Sequence, residues 1–283
     1  MTTANPLLAA LPRPIADGLV AGRALVYRLL TPFDALWRKM NGLGDRPPIW
    51  LRRYVGPLAS FESAAAEFAC LLKLLTHLKP QHRLLDLGCG CGALALHLRD
   101  YIQPELGGSY VGLDVHEPSI RWCQRHLARP GFQFVLLDAY NATFRPAGQP
   151  NFDYRAVLER YAPADVIVAK SLFTHLRPED TQAYLQAIGD VLKPGGSALI
   201  TAFLFAPEDD LGRTAIRFAY GDAHFRHAYA HRVESAVAYA ESWIQAAIIA
   251  AGLTCEHVYR GAWRSGGVGL SFQDVILTNK PEA

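Results

Sequence analysis

The chain has 283 residues, 51% of them apolar, and its 28 lysines and arginines exceed its 26 aspartates and glutamates by two. That length supports one good core with appendages rather than two full domains, and so even a balance gives nucleic acid or an acidic membrane no general reason to bind. Five cysteines, Cys70, Cys89, Cys91, Cys123 and Cys255, lie in apolar or turn segments without a disulfide spacing, which points to a reducing compartment. Residues Met1 to Ala10 lack the basic start of a signal peptide, and no apolar run reaches membrane-spanning length. The expectation is a cytoplasmic protein with a small-molecule partner.

From Pro14 to Met40, apolar Ile15, Leu19, Val20, Leu25, Leu29 and Leu30 recur among charged positions, which predicts one or two amphipathic helices interrupted at Pro32. A basic apolar arm can touch a membrane surface, but Asp17, Asp34 and Asp45 dilute its charge, so it reads as a lid or packing helix. After a break at Asn41-Gly-Leu-Gly and Pro47-Pro48 come Trp50, Arg52, Arg53 and Tyr54. A helix from Ser60 to Leu78 is stopped by Lys79-Pro80 and leads to a strand from Arg83 to Leu87. Further strands are predicted at about 110–114, 133–137, 165–170 and 197–204, with helices near 92–101, 118–128 and 178–192. That alternation builds a parallel sheet with helices on both faces. In the tail, a helix from Ser235 to Ala251 ends at Gly252. Two β-rich runs follow, Leu253 to Arg260 and Leu270 to Asn279, joined through Trp263, Gly266 and Gly267 and placed to pair as an edge hairpin. The expected division is a helical arm over 1–59, a cofactor-binding core over 60–204, a cap insertion over 205–240, and a last helix and strand pair over 241–283.

Three carboxylates follow apolar strands: Asp86 in Leu-Leu-Asp-Leu-Gly, Asp114 in Tyr-Val-Gly-Leu-Asp and Asp138 in Phe-Val-Leu-Leu-Asp. Carboxyl ends of strands in an open α/β sheet face the ligand crevice, so all three should line one site. Gly88, Gly90 and Gly92 allow a sharp strand-to-helix turn and close approach of a ligand. Asp114 is placed to accept hydrogen bonds from both ribose hydroxyls of a nucleoside, and Asp138 one from an adenine amine. Asp86 falls near an ammonium or sulfonium at the other end. Cys89 and Cys91 lack the partners of a zinc site and read as small residues lining the turn. Gly88-x-Gly90-x-x-Ala93 also satisfies the dinucleotide pattern, with Asp114 as an acceptable ribose acid for NAD. An NAD(P)-dependent oxidoreductase therefore stands as the alternative. A dinucleotide site requires neither Gly92, nor Asp138, nor the turn Lys193-Pro-Gly-Gly196.

The motif at Asp86, Gly88, Gly90 and Gly92 resembles that of the class I S-adenosylmethionine-dependent methyltransferases. Asp114, Asp138-Ala139 and Asp190-Val-Leu-Lys-Pro-Gly-Gly196 are similar to the family's ribose, adenine and fifth-strand motifs. The resemblance spans about residues 60 to 204, with the tail similar to the last two strands. It implies an α/β, Rossmann-like, doubly wound seven-stranded sheet, mostly parallel with an antiparallel C-terminal edge strand. The implied cofactor is S-adenosyl-L-methionine, with S-adenosyl-L-homocysteine as product. Asp86, Gly88, Cys89 and Gly90 would hold its tail and turn, Asp114 and Val115 its ribose, Asp138 and Ala139 its adenine, with Lys170 beside them.

The acceptor side begins after the fourth strand, at Ala169-Lys-Ser-Leu-Phe-Thr-His175. His175 is the candidate general base, with a helix cap or a loop hydrogen bond as its structural alternative. The segment is not the Asp/Asn-Pro-Pro-Tyr/Phe motif that family members use on nucleobase or glutamine amines, which argues against nucleic acid. Glu179 and Asp180 fit a first helical turn beside Pro178 rather than a magnesium site. Trp50, Tyr54, Phe173, Tyr220 and Phe225 are candidate walls for a planar or apolar acceptor. His224, His227 and His231 would share one face of a helix, but no acid or cysteine completes a metal site, and none is expected. The function expected is methylation of an oxygen or nitrogen, less readily a carbon, of a small, partly apolar metabolite, natural-product or lipid-like. A nucleoside-binding protein without methyl transfer is the remaining alternative, and the oligomeric state is left open.

Overall fold

The computed structural model describes residues 22, 25–53, 58–212, 214–264 and 267–282. Tyr54, Gly266 and the arm up to residue 21 lie outside them. Helix α1 (Thr31–Met40) continues a helical run at residues 25–29, and α2 (Ile49–Arg52) follows. Then α3 (Phe61–Leu75) leads into β1 (Arg83–Leu87), α4 (Ala93–Leu98), β2 (Ser109–Asp114), α5 (Glu117–His126) and β3 (Phe132–Leu136). Next come α6 (Tyr154–Leu158), β4 (Ala164–Ala169), α7 (Pro178–Val191) and β5 (Leu192–Ala202). Helix α7 starts as its sequence dictates, with Pro178 at its first position and Glu179 and Asp180 complementing its N-terminal dipole.

The main sheet runs β3-β2-β1-β4-β5 in parallel and is extended antiparallel by β11 (Asp274–Asn279) and β10 (Thr254–Tyr259). Its seven strands and antiparallel tail are those implied by the family resemblance. Because successive side chains point to opposite faces, Leu85, Leu87, Val111, Leu113 and Ile167 pack with Tyr184, Leu185 and Ile188 of α7. Leu84, Tyr110, Val166 and Val168 pack on the other face with Phe68 and Leu72 of α3 and Leu94 of α4. Both faces are covered, which is why the strands read as nearly continuous apolar runs.

Two boundaries differ from the sequence reading. Strand β5 begins at Leu192, which pairs with Ala164, and resumes at Ser197 opposite Val166; Lys193-Pro-Gly-Gly196 bulges between them. Gly195, with φ +71°, makes that bulge, and its N–H donates to the Lys280 carbonyl at 2.9 Å. After Ala202 the chain leaves the sheet. Leu204–Phe205 (β6) joins a second, four-stranded sheet of order β6-β9-β8-β7, with β7 at Tyr220–Gly221, β8 at Phe225–His227 and β9 at Val237–Ala240. The last helix, α8 (Glu241–Ala250), consequently starts six residues later than Ser235, since Val237 to Ala240 are extended. Phe203, Phe218 and Trp263 form the second sheet's core, with the Trp263 ring 5.2 Å from Phe203 and 5.6 Å from Phe218. Asp274 ties the two sheets: fully buried, it accepts from the N–H of Leu204 (2.9 Å) and Gly261 (2.9 Å), the Trp263 indole (2.7 Å) and Arg264 (2.5 Å).

Candidate active site

The glycine turn joins β1 to α4 with φ of +77° at Gly88, +53° at Gly90 and +76° at Gly92, conformations that side-chain-bearing residues rarely hold. A Cβ on Gly92 would also lie 2.5 Å from Leu127 Cδ1 and 3.1 Å from Cys123 Sγ, so this turn needs glycine for space as well as for φ. Its amides reach across to β2: those of Gly88 and Cys89 donate to the Leu113 carbonyl at 2.8 and 3.1 Å. The Gly90 N–H donates to Asp114 Oδ2 at 2.8 Å, and the His116 N–H to Asp114 Oδ1 at 2.7 Å. Asp114 thus holds the turn in shape while each carboxylate oxygen keeps a lone pair for a further donor. Val115 beside it is half-buried against the core. Cys89 and Cys91 are buried, and burial pushes both thiols up, leaving them as neutral packing groups.

Asp86, one residue before the end of β1, is almost wholly buried and accepts a hydrogen bond from the Tyr110 hydroxyl. Burial raises its carboxyl to about 7, with the Asp114 charge adding to the rise and the Tyr110 bond and Lys170 opposing it. A buried acid of this kind is ionised most readily by an incoming cation. Lys170, at the end of β4, turns toward α3: its ammonium donates to the Ala64 carbonyl at 3.1 Å and lies 4.9 Å from the Phe68 ring centre. Burial lowers its pKa.

Asp138 lies two residues beyond β3, open to solvent, with both oxygens engaged. Arg145 donates to Oδ1 through Nε at 2.7 Å, and the Gln149 amide donates to Oδ2 at 3.0 Å. Arg145 holds its carboxyl below the usual range, with Gln149 adding to the effect. The adjacent Ala139 is buried and bridges to Gln149. Sequence reasoning missed Arg145 and Gln149, because nothing in their spacing from Asp138 signals a loop that folds back on it.

Ser171 follows β4 with φ +60°, a strained value for a non-glycine residue. Its N–H donates to Thr201 Oγ1 at 2.7 Å and its hydroxyl to Gln273 Oε1 at 3.1 Å, so β5 and the residue just before β11 fix this turn. The turn delivers Phe173 and His175 in different directions. Phe173 is fully buried beneath the site, 6.4 Å from the Tyr184 ring; the tight helical turn at Phe173–His175 aims it into the core rather than at a pocket wall. His175 shares a hydrogen bond of 2.9 Å between its Nδ1 and the Glu234 carbonyl. A carbonyl only accepts, so Nδ1 carries the proton and Nε2 keeps a lone pair. Burial pushes the imidazole pKa down, which favours the neutral ring. The Phe144 ring stands edge-on to His175 at 6.3 Å and to His116 at 5.9 Å.

Glu234, another residue with no sequence signal, links three loops of the site. Its carbonyl receives His175, while its buried carboxylate accepts from the Ala142 N–H at 2.9 Å and from Arg177 Nε at 3.2 Å. Of the expected acceptor walls, Trp50 is half-buried against the cluster of Leu51, Phe61 and Ala65, with the Arg28 guanidinium 5.9 Å from its ring. Tyr220 stacks on His227 at 5.5 Å, and Phe225 packs on Tyr239 at 5.6 Å. The three histidines do not share a helix face: His227 is on β8, His224 in the turn before it, and His231 in a turn after it.

Residues 85–198 match the profile of a methyltransferase domain family. The chain is 33% identical over 119 residues to a phthiotriol/phenolphthiotriol dimycocerosates methyltransferase of Mycobacterium ulcerans, covering 42% of this chain and 36% of that protein. It is 31% identical, with the same coverage, to a fatty-acid O-methyltransferase of Mycolicibacterium smegmatis. The chain thus spans little more than a third of the length of these curated relatives. Among solved structures, mitomycin 7-O-methyltransferase superposes with a TM-score of 0.52 at 18% identity, over 90% of this chain and 60% of that one, which is a likeness of fold. The glycine turn braced by Asp114, the seven-stranded sheet and the domain match converge: residues 85–198 carry a methyltransferase domain, set in a sheet with the fold of the class I, S-adenosylmethionine-dependent type.

Proposed function

We propose that this protein transfers the methyl group of S-adenosylmethionine to an oxygen or nitrogen of a small, partly apolar molecule in the cytoplasm. The observation that carries the reading is the alignment of Asp86, Asp114 and Asp138 at or just beyond the carboxyl ends of adjacent β1, β2 and β3, with the Gly90 amide held by Asp114. Asp114 accepts from the ribose, Asp86 faces the ammonium end, and Asp138 and the buried Ala139 border the adenine. Gly88, Cys89 and Gly90 bring the backbone close, and Val115 packs beside the base. The bound cofactor supplies a methyl already activated on a sulfonium. The protein's task is then to hold the acceptor in line and to receive its proton. His175, neutral and with Nε2 free of the Glu234 bond, is the base for that proton.

One name supports an apolar acceptor, that of the fatty-acid O-methyltransferase of Mycolicibacterium smegmatis. Trp50, Tyr220 and Phe225 are the accessible aromatic groups for it. The near-even charge speaks against nucleic acid, and the free cysteines speak for a reducing compartment. The test is calorimetric titration with S-adenosylhomocysteine and with NAD, followed by transfer of labelled methyl to fatty acids and planar phenols. Tight NAD binding with no response to the thioether refutes the cofactor reading; binding without transfer to any acceptor class refutes the catalytic one.

A further inference from the structure

The helix at residues 25–40 is built inside out. At about 3.6 residues per turn, Leu25, Val26, Leu29, Leu30, Phe33, Leu36, Trp37 and Met40 fall within about 140° of arc. All of them are exposed, Phe33 at 73% and Met40 at 77% of their surface. The opposite side carries the polar groups and is buried. There Asp34 accepts from Arg38 Nε at 2.9 Å, from the Ile49 N–H at 3.0 Å and from Arg52, while Arg38 also donates to the Arg46 carbonyl at 2.6 Å. A packing helix would present the reverse arrangement.

We propose that this outward face docks on an anionic lipid surface. The charges argue for that occupant. Among the described residues of the arm the acids are neutralised away from the apolar face: Asp34 by Arg38 and Arg52, and Asp45 by Arg46 at 2.9 Å and Arg99 at 2.6 Å. Asp17, the third acid that dilutes the arm's charge in the sequence, lies outside the described residues. The exposed charges flanking the apolar arc are Arg28 and Lys39, both cationic. An apolar ridge with Phe33 and Met40 at its centre, Trp37 toward one edge and cations beyond the other is the pattern of a helix lying in a membrane interface. No helix among the described residues is long and apolar enough to cross a membrane, so the contact is peripheral. This surface is independent of which molecule is methylated.

The test is sedimentation of the full chain with vesicles of phosphatidylcholine alone or with a third phosphatidylglycerol, alongside light scattering of the free protein. The protein should bind the anionic vesicles on the order of twentyfold more tightly than the neutral ones, from two cations near the surface. The F33E/W37E double variant should lose at least about a hundredfold, since two large side chains leave the interface. Leu74→Glu, at an exposed position on α3, should bind as wild type, and circular dichroism should show all three folded alike. Equal binding by the double variant and wild type overturns the proposal. So does a wild-type protein that ignores vesicles and forms a dimer that the double variant splits, which would give the face to a second copy.

Discussion

Replacing Asp114 with alanine separates its observed duty, bracing the glycine turn, from the one proposed for it, holding the ribose. In the free protein its oxygens accept the Gly90 and His116 amides at 2.8 and 2.7 Å. Hydrogen bonds to a charged group contribute about 1.5–3 kcal/mol each, but the side chain is half-buried and water can replace part of what is lost. We expect a stability loss of about 2–3 kcal/mol, read from urea midpoints. Cofactor affinity should fall further than stability explains, because two ribose hydroxyls lose their acceptor. A second loss of about 1.5–3 kcal/mol corresponds to roughly 10- to 150-fold in the dissociation constant of S-adenosylhomocysteine. Calorimetry well below the unfolding midpoint isolates that part. Asp114→Asn, which keeps one acceptor oxygen, should fall between alanine and wild type on both measures. A folded Asp114→Ala protein that binds the thioether as tightly as wild type refutes the placement of the ribose.

Burial of Asp86 raises its carboxyl to about 7, so between about pH 4 and pH 7 the native apoprotein holds a proton that the unfolded chain has released. Stability should therefore decline as pH rises through that window, and Asp86→Asn should flatten the slope of urea midpoint against pH. Cofactor binding, which favours the carboxylate, should weaken as pH falls below about 7 and release a proton detectable by calorimetry in buffers of different ionisation heat. His175 has its pKa lowered by burial, so kcat should keep its base form down to below about pH 6.5. His175→Ala should lower kcat by about 100-fold or more with thioether binding intact; an unchanged kcat would leave the ring a purely structural role. Glu234→Ala should destabilise the fold by about 1.5–3 kcal/mol, chiefly through the Ala142 amide, because Arg177 is more than half exposed. Glu234→Gln, which retains an acceptor, should recover most of that, and equal unfolding midpoints for both variants would disprove the linkage.

The main sheet was legible because its signals are local. An apolar run ending in an acid and a glycine turn, as at Leu84 to Gly92, specifies strand, crevice and helix start together. The same rule set Asp114 at the end of β2 and Asp138 just beyond β3, and the tail hairpin was legible in its two β-rich runs. What the sequence hid depends on contacts between distant segments. Arg145 and Gln149 engage Asp138 because a loop doubles back, and Glu234 meets His175 from 59 positions further along the chain. Phe173 looked like a pocket residue since it follows β4, yet the turn set by Ser171 sends it into the core. The lobe after Ala202 read as aromatic without a period, and its strands of two to four residues are too short to announce themselves.

The sheet order also works as a ruler. Adjacent strands lie about 4.8 Å apart, so the step from β1 to β3 spans about 10 Å, close to the distance from the tail of a nucleoside to its base. Among the described residues β3 is the outermost strand on this side, and beyond it there is no further strand end on which a second nucleotide could rest. The crevice is therefore bounded on the β3 side, and a ligand longer than one nucleoside has room to extend only in the other direction, over the ends of β4 and β5. Discrimination against longer cofactors on that side would come from where the sheet stops, not from a side chain that blocks the way.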